Sequence, residues 1–168
     1  MKISLSTTCI YSLALLPFLF SGPKANAQKT DGNNPPSILG TWILSVSETS
    51  PGIAPDEQLS AWSLTFTKAT KHWLTWNTEL TANGMDKPIH FGWNGPTNGK
   101  PQPLIGVPGS EAYHWDGHTL IRDADHGHGE TKHDTVVLSA DGNTLVITDT
   151  TTTPSGEAVA HQVLHRQR

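Results

Sequence analysis

Two groups of side chains in this sequence could do chemistry. The first is His126-Gly127-His128-Gly129-Glu130 with His133-Asp134, preceded by Asp123 and Asp125. Imidazole and carboxylate are ligands for zinc and related divalent ions. On an extended backbone His126 and His128 would point the same way. The glycines around them signal a turn tip, where side chains splay into water. Two readings follow: a divalent-metal site built from His126, His128 and His133, or a solvated, acidic, His-rich loop. The second group is Trp62, Phe66, Trp76, Phe91 and Trp93. Each alternates with polar neighbours, so the five rings share the inner face of successive strands. They either line a cavity for one apolar or aromatic molecule or fill the interior as solid core.

Nothing comparable supports catalysis. No Ser stands in a Gly-x-Ser-x-Gly setting. Glu79 with Asp86, or Asp123 with Asp125, could be paired for acid–base work, but any acidic chain offers such pairs. His90 has the opposite phase to Ile89 and Phe91, which turns it towards solvent. No catalytic residue is assigned, the chain is read as a non-enzyme, and no cofactor is implied.

The elements that must carry these residues are strands. Trp42, Leu44 and Val46 alternate with polar residues within Ile38–Val46, and period two marks a half-buried strand. Trp62, Leu64 and Phe66 repeat the pattern, then Leu74, Trp76, Thr78 and Leu80, then Ile89, Phe91 and Trp93. Asn83-Gly84 is a hairpin signal. Residues 49–60 read as a loop with room for one helical turn. Residues 95–110 hold four prolines and four glycines and read as a long irregular loop, with a short extended piece at Leu104–Val107. The last third is a meander, with strands at Thr119–Asp125, Thr131–Ser139, Thr144–Thr152 and Ala158–Gln167. Its turns fall at Gly127-His128-Gly129, Asp141-Gly142-Asn143 and Pro154-Ser155-Gly156. Turn signals about every 12 residues predict an all-β barrel or sandwich. No stretch sustains helical periodicity.

The N-terminus predicts export. Lys2 precedes an apolar run from Cys9 to Phe20, and Ala25-Asn26-Ala27 supplies a small-residue cleavage pattern. This is the layout of a secretory signal peptide over residues 1–27, cut after Ala27. Pro17 interrupts the run, which falls short of the roughly 20 residues needed to span a bilayer. A bacterial Sec-type signal is the expectation, hence periplasm or medium. Residues 28–37 are polar, with Pro35-Pro36, and read as a disordered leader. Residues 38–168 suit one domain. Cys9 is the only cysteine, so the processed chain would have no disulfide and no thiolate ligand, and no stable membrane anchor is expected. The whole chain carries a net charge of −4, and losing Lys2 and Lys24 deepens it. Nucleic acid is therefore excluded as a partner; an apolar small molecule is the partner the rings suggest.

Gly40-Thr41-Trp42, opening the first strand, resembles the Gly-x-Trp that opens lipocalin-type barrels. The resemblance implies that Trp42 packs near the closed base and that a basic residue of the last strand lies over it. Arg166, in Leu164-His165-Arg166-Gln167, is placed to be that residue. The chain also resembles small secreted bacterial proteins described as lipocalin-like, through Leu39–Trp42 with Ser50–Pro55 and through Val137–Thr148 continued by Thr151–Val159. The likeness covers about half of the exported part, and its Asp-Gly hairpin is common in meanders. It implies an antiparallel up-and-down β-barrel of about eight strands, with Gly40, Trp42 and Arg166 closing it. A two-sheet sandwich is the alternative. His126-Gly127-His128-Gly129-Glu130 also brushes against the cupin metal motif, but Pro108-Gly109 and His114 do not follow at that family's spacing. Cupin is rejected.

Overall fold

The computed structural model describes residues 35–50, 58–103 and 109–168. The signal peptide, most of the leader, the loop at 51–57 and the extended piece at Leu104–Val107 lie outside the described residues.

The chain forms ten antiparallel strands in one sheet. They are β1 (Gly40–Leu44), β2 (Leu59–Ala69), β3 (Trp73–Ala82), β4 (Ile89–Pro96), β5 (Gln102–Pro103), β6 (Ser110–Asp116), β7 (Thr119–Gly127), β8 (Glu130–Leu138), β9 (Thr144–Thr153) and β10 (Gly156–Arg166). The order across the sheet is β4-β3-β2-β1-β10-β9-β8-β7-β6-β5. Every consecutive pair except β4–β5 is therefore hydrogen-bonded, and the first strand is bonded to the last. This is an up-and-down barrel, not a sandwich.

The count of about eight is corrected to ten, and the two extra strands have one origin. Both β5 and β6 arise at or just beyond the Pro- and Gly-rich stretch read as loop. Within β6, Glu111, Tyr113 and Trp115 share a phase, and Asp116-Gly117 turns the chain into β7. A charged residue at an inward position hid that alternation. Val46 is also corrected: it leaves the strand for a 3-10 turn at Val46–Glu48 and is 55% exposed.

Closure happens at two places of unequal strength. Between β1 and β10, Trp42 pairs with Arg166, Ile43 with His165 and Leu44 with Leu164. On the other side, the residues just after β4 meet β6 among the described residues through a single bridge, Asn98 to His114, together with the Gly99 N–H donating to the Tyr113 carbonyl at 2.9 Å. The barrel is thus nearly closed, with its seam beside β4.

The base is solid. Ile38, Trp42, Leu74, Trp93, Leu120, Leu145 and Leu164 are all buried there. Trp42 donates from Nε1 to the Ile38 carbonyl at 2.8 Å. Arg166 lies over its ring, 4.2 Å from the centroid. The guanidinium also donates to the carbonyls of Leu39, Ser37 and Gly142. Gly40 has φ +112, and a Cβ there would sit 3.1 Å from Arg166 Nη1. Glycine at this position thus accommodates both a left-handed backbone and the close approach of the arginine.

Candidate functional site

Above this base the barrel is hollow. A cavity of about 550 Å³ lies between two chemically different walls. That volume is within the range of small-molecule sites, roughly 300–1,000 Å³.

One wall is β2–β4. Register stacks its inward residues in rows: Phe66 beside Trp76 and Trp76 beside Trp93, Leu64 beside Thr78 and Thr78 beside Phe91, Trp62 beside Leu80 and Leu80 beside Ile89. Trp76 and Phe91 meet edge-on, with ring centroids 5.7 Å apart. Trp62 is held by its own polar atom, since Nε1 donates to Thr78 Oγ1 at 2.5 Å and that hydroxyl donates to the Ser63 carbonyl at 2.7 Å. A ring fixed in this way offers its face to the cavity at little entropic cost.

The other wall is β6–β9, and it is charged. Tyr113, Arg122, Asp134 and Asp149 form one row across four strands. Lys132 and Thr151 follow in the next row, beside Ala124 and Glu111. Glu111 is fully buried and Asp134 nearly so, at 5% exposed. Buried charges persist only when paired and hydrogen-bonded, and here a continuous chain does this. Trp76 Nε1 donates to Tyr113 Oη at 3.1 Å, and Tyr113 Oη donates to Glu111 Oε2 at 2.6 Å. Arg122 donates from Nε and Nη2 to Glu111 Oε1, and from Nη1 to Asp134 Oδ2 at 2.5 Å. The network begins on the aromatic wall and ends on the charged one. It therefore spans the interior next to the weak β4–β6 seam. Alongside it, Lys132 Nζ donates to Asp149 Oδ2 at 3.0 Å, and Thr151 Oγ1 donates to Asp149 Oδ1 at 2.8 Å.

Burial sets the titration of these groups. Burial disfavours the phenolate of Tyr113 and carries its pKa well above the ordinary range, with Glu111 adding to the effect against Arg122. Burial also raises Asp134, against the pull of Arg122, and neighbouring Asp149 pushes the same way. For Arg122 burial opposes the charge, but Asp134, Tyr113 and Glu111 outweigh it, so the guanidinium stays charged.

The structure brings four of the five sequence-selected rings together. Trp62, Phe66, Trp76 and Phe91 line the cavity. Trp93 does not: it sits in the base, 2% exposed, its ring 4.8 Å from that of Tyr113. The two readings of the aromatic set thus apply to different rings, Trp93 packed as core against Tyr113 and the other four lining the cavity. The histidines do not converge. His126 lines the cavity and contacts Glu130 at 3.2 Å. His133 faces outward, 2.7 Å from Asp123. His128 occupies the turn with φ 55. Among the described residues, no group of three or more His, Cys, Asp or Glu is placed to hold a metal. The carboxylates considered for acid–base work lie away from the cavity: Glu79 sits 3.7 Å from exposed His90, and Asp123 is taken up by His133.

Sequence reasoning missed the charged wall. The available signal was phase. Arg122 shares a phase with Leu120, Asp134 with Val136, and Asp149 with Ile147. Three consecutive strands thus each place a charge at an inward position.

No family model and no curated protein matches this sequence. Solved structures do resemble it in three dimensions. A mutant of the fluorescent protein UnaG superposes with a TM-score of 0.50 at 11% identity, over 78% of this chain and 96% of that one. Rv2717c from M. tuberculosis gives a TM-score of 0.41 at 17% identity, over 77% of this chain and 92% of that one. The strand order, the near-closed barrel and the likeness to UnaG define a calycin-type fold.

Proposed function

We infer that this protein is an exported carrier or sensor that holds one small, largely apolar or aromatic molecule inside its barrel. One observation carries this reading: the interior is hollow above a solid base, and Trp62, Phe66, Trp76 and Phe91 face the space. Binding needs concave apolar surface with a few placed polar groups, and both are present. The reading is of a binder, not an enzyme, since the carboxylates of the charged wall are engaged with Arg122 and Lys132. Export rests on the N-terminal pattern of Lys2, the apolar run and Ala25-Asn26-Ala27; the intact mass of the secreted chain should correspond to a start at Gln28.

The test is titration with Nile red, a neutral apolar fluorophore, followed by its own emission and by tryptophan quenching. Saturable uptake at one site is expected. Ala160, on the cavity wall, supplies the control: Ala160→Phe fills the space and should abolish uptake while circular dichroism stays unchanged. Uptake that fails to saturate, or that survives Ala160→Phe, would overturn the reading.

A further inference from the structure

We propose that the cavity selects ligands bearing a protonated amine and discriminates against carboxylates. This rests on the binding reading above and specifies the head group that the charged wall accepts.

The wall holds two fixed cations, and both are engaged. Arg122 faces two carboxylates, Glu111 behind it and Asp134 beside it. Lys132 is paired with Asp149 at 3.0 Å. Asp134 and Asp149 line the cavity and Glu111 lies buried behind Arg122, so three carboxylates stand against the two cations. Acceptors are in surplus too: Asp134 Oδ1 is buried with no hydrogen-bond partner. A buried acceptor left unpaired is costly, and a buried carboxylate gains from any nearby positive charge.

A carboxylate ligand would meet a guanidinium already matched by two carboxylates and would add a further anion to the row. An ammonium group arriving at Asp134 and Asp149 would offset the excess. The opposite wall fits the same ligand, because Trp62, Trp76 and Phe91 present aromatic surface to which a ring, or a cation, is attracted. The ligand class is therefore an aromatic or polycyclic amine, with its body on β2–β4 and its nitrogen towards β8–β9.

The test is displacement of Nile red at neutral pH by probes sharing one body: naphthalene, naphthylmethylamine and naphthoate. The amine should bind at least about tenfold more tightly than the carboxylate, a difference that one extra unscreened charge contact readily supplies. Asp134→Asn, which keeps the shape, should shrink that ratio. Lys132→Met, which frees Asp149, should enlarge it, and this arm stands if Asp134→Asn fails to fold. If Nile red does not bind at all, the binding reading itself falls. If Nile red binds and naphthoate equals or beats the amine, the pocket stands and this selectivity is overturned. A ratio unmoved by Lys132→Met would likewise overturn it.

Discussion

The two walls of the barrel solve the same packing problem by opposite means. On β2–β4 the inward positions are Trp, Leu, Phe and Ile around a single Thr78, and stability comes mainly from removing apolar surface from water. On β6–β9 the inward positions include Glu111, Arg122, Asp134 and Asp149, and stability depends on each charge finding its partner. Apolar burial is forgiving of which neighbour is met. A buried ion network is not, because removing one member strands the rest. The hydrogen bond from Trp76 to Tyr113 is where the two modes join.

The largest expected effect breaks the charged wall at its centre. Arg122→Ala leaves Glu111 and Asp134 buried together without their cation and should cost about 3–5 kcal/mol in urea unfolding, by analogy with other broken buried pairs. Replacing the set at once, with Glu111→Leu, Arg122→Met and Asp134→Leu, should instead be neutral or stabilise by about 1–4 kcal/mol. If the single and triple variants destabilise alike, the network is not what distinguishes this wall.

A smaller effect tests the join on the far side, where β1 of one half meets β10 of the other. Arg166→Met removes the guanidinium from the Trp42 ring and should cost about 0.5–2 kcal/mol from the stack alone. Its carbonyl contacts to Leu39, Ser37 and Gly142 add to that. An unchanged midpoint would mean that strand pairing closes the barrel without help from this residue.

The smallest effect is a slope. Burial raises Asp134 above its unfolded value, so the folded state binds its proton more tightly than the unfolded chain does. The stability this contributes is complete below the unfolded carboxylate pKa, near 3.9, and is lost as pH rises through the folded value. Arg122, Asp149 and Lys132 face the same carboxyl, and comparison with Asp134→Asn separates its share. From about pH 4 to pH 7, the stability of Asp134→Asn should improve relative to the parent in paired urea titrations. A relative decline would show that the pairing with Arg122 outweighs burial.

Much of the fold was readable in the chain itself. Period-two alternation located eight strands, and Asn83-Gly84, Asp141-Gly142 and Pro154-Ser155-Gly156 marked their turns. Gly40-Thr41-Trp42 and Arg166 pointed to the junction of first and last strands. The aromatic wall was legible because its inward residues are also its apolar ones. The charged wall was not, because period-two reading takes polarity as the sign of solvent, and β6 to β9 place charges inward.

Sequence alone determined eight of the ten strands, their order along the chain and which face of each aromatic strand turns inside, since side-chain alternation and turn chemistry are local. Tertiary structure decided the rest. Register set Tyr113, Arg122, Asp134 and Asp149 side by side and turned His126 and His133 to opposite faces, while packing against Tyr113 buried Trp93 although its row neighbours Trp76 and Phe66 face the cavity. Those outcomes depend on how distant strands slide against one another, and that is settled by pairing free energy summed over the whole barrel.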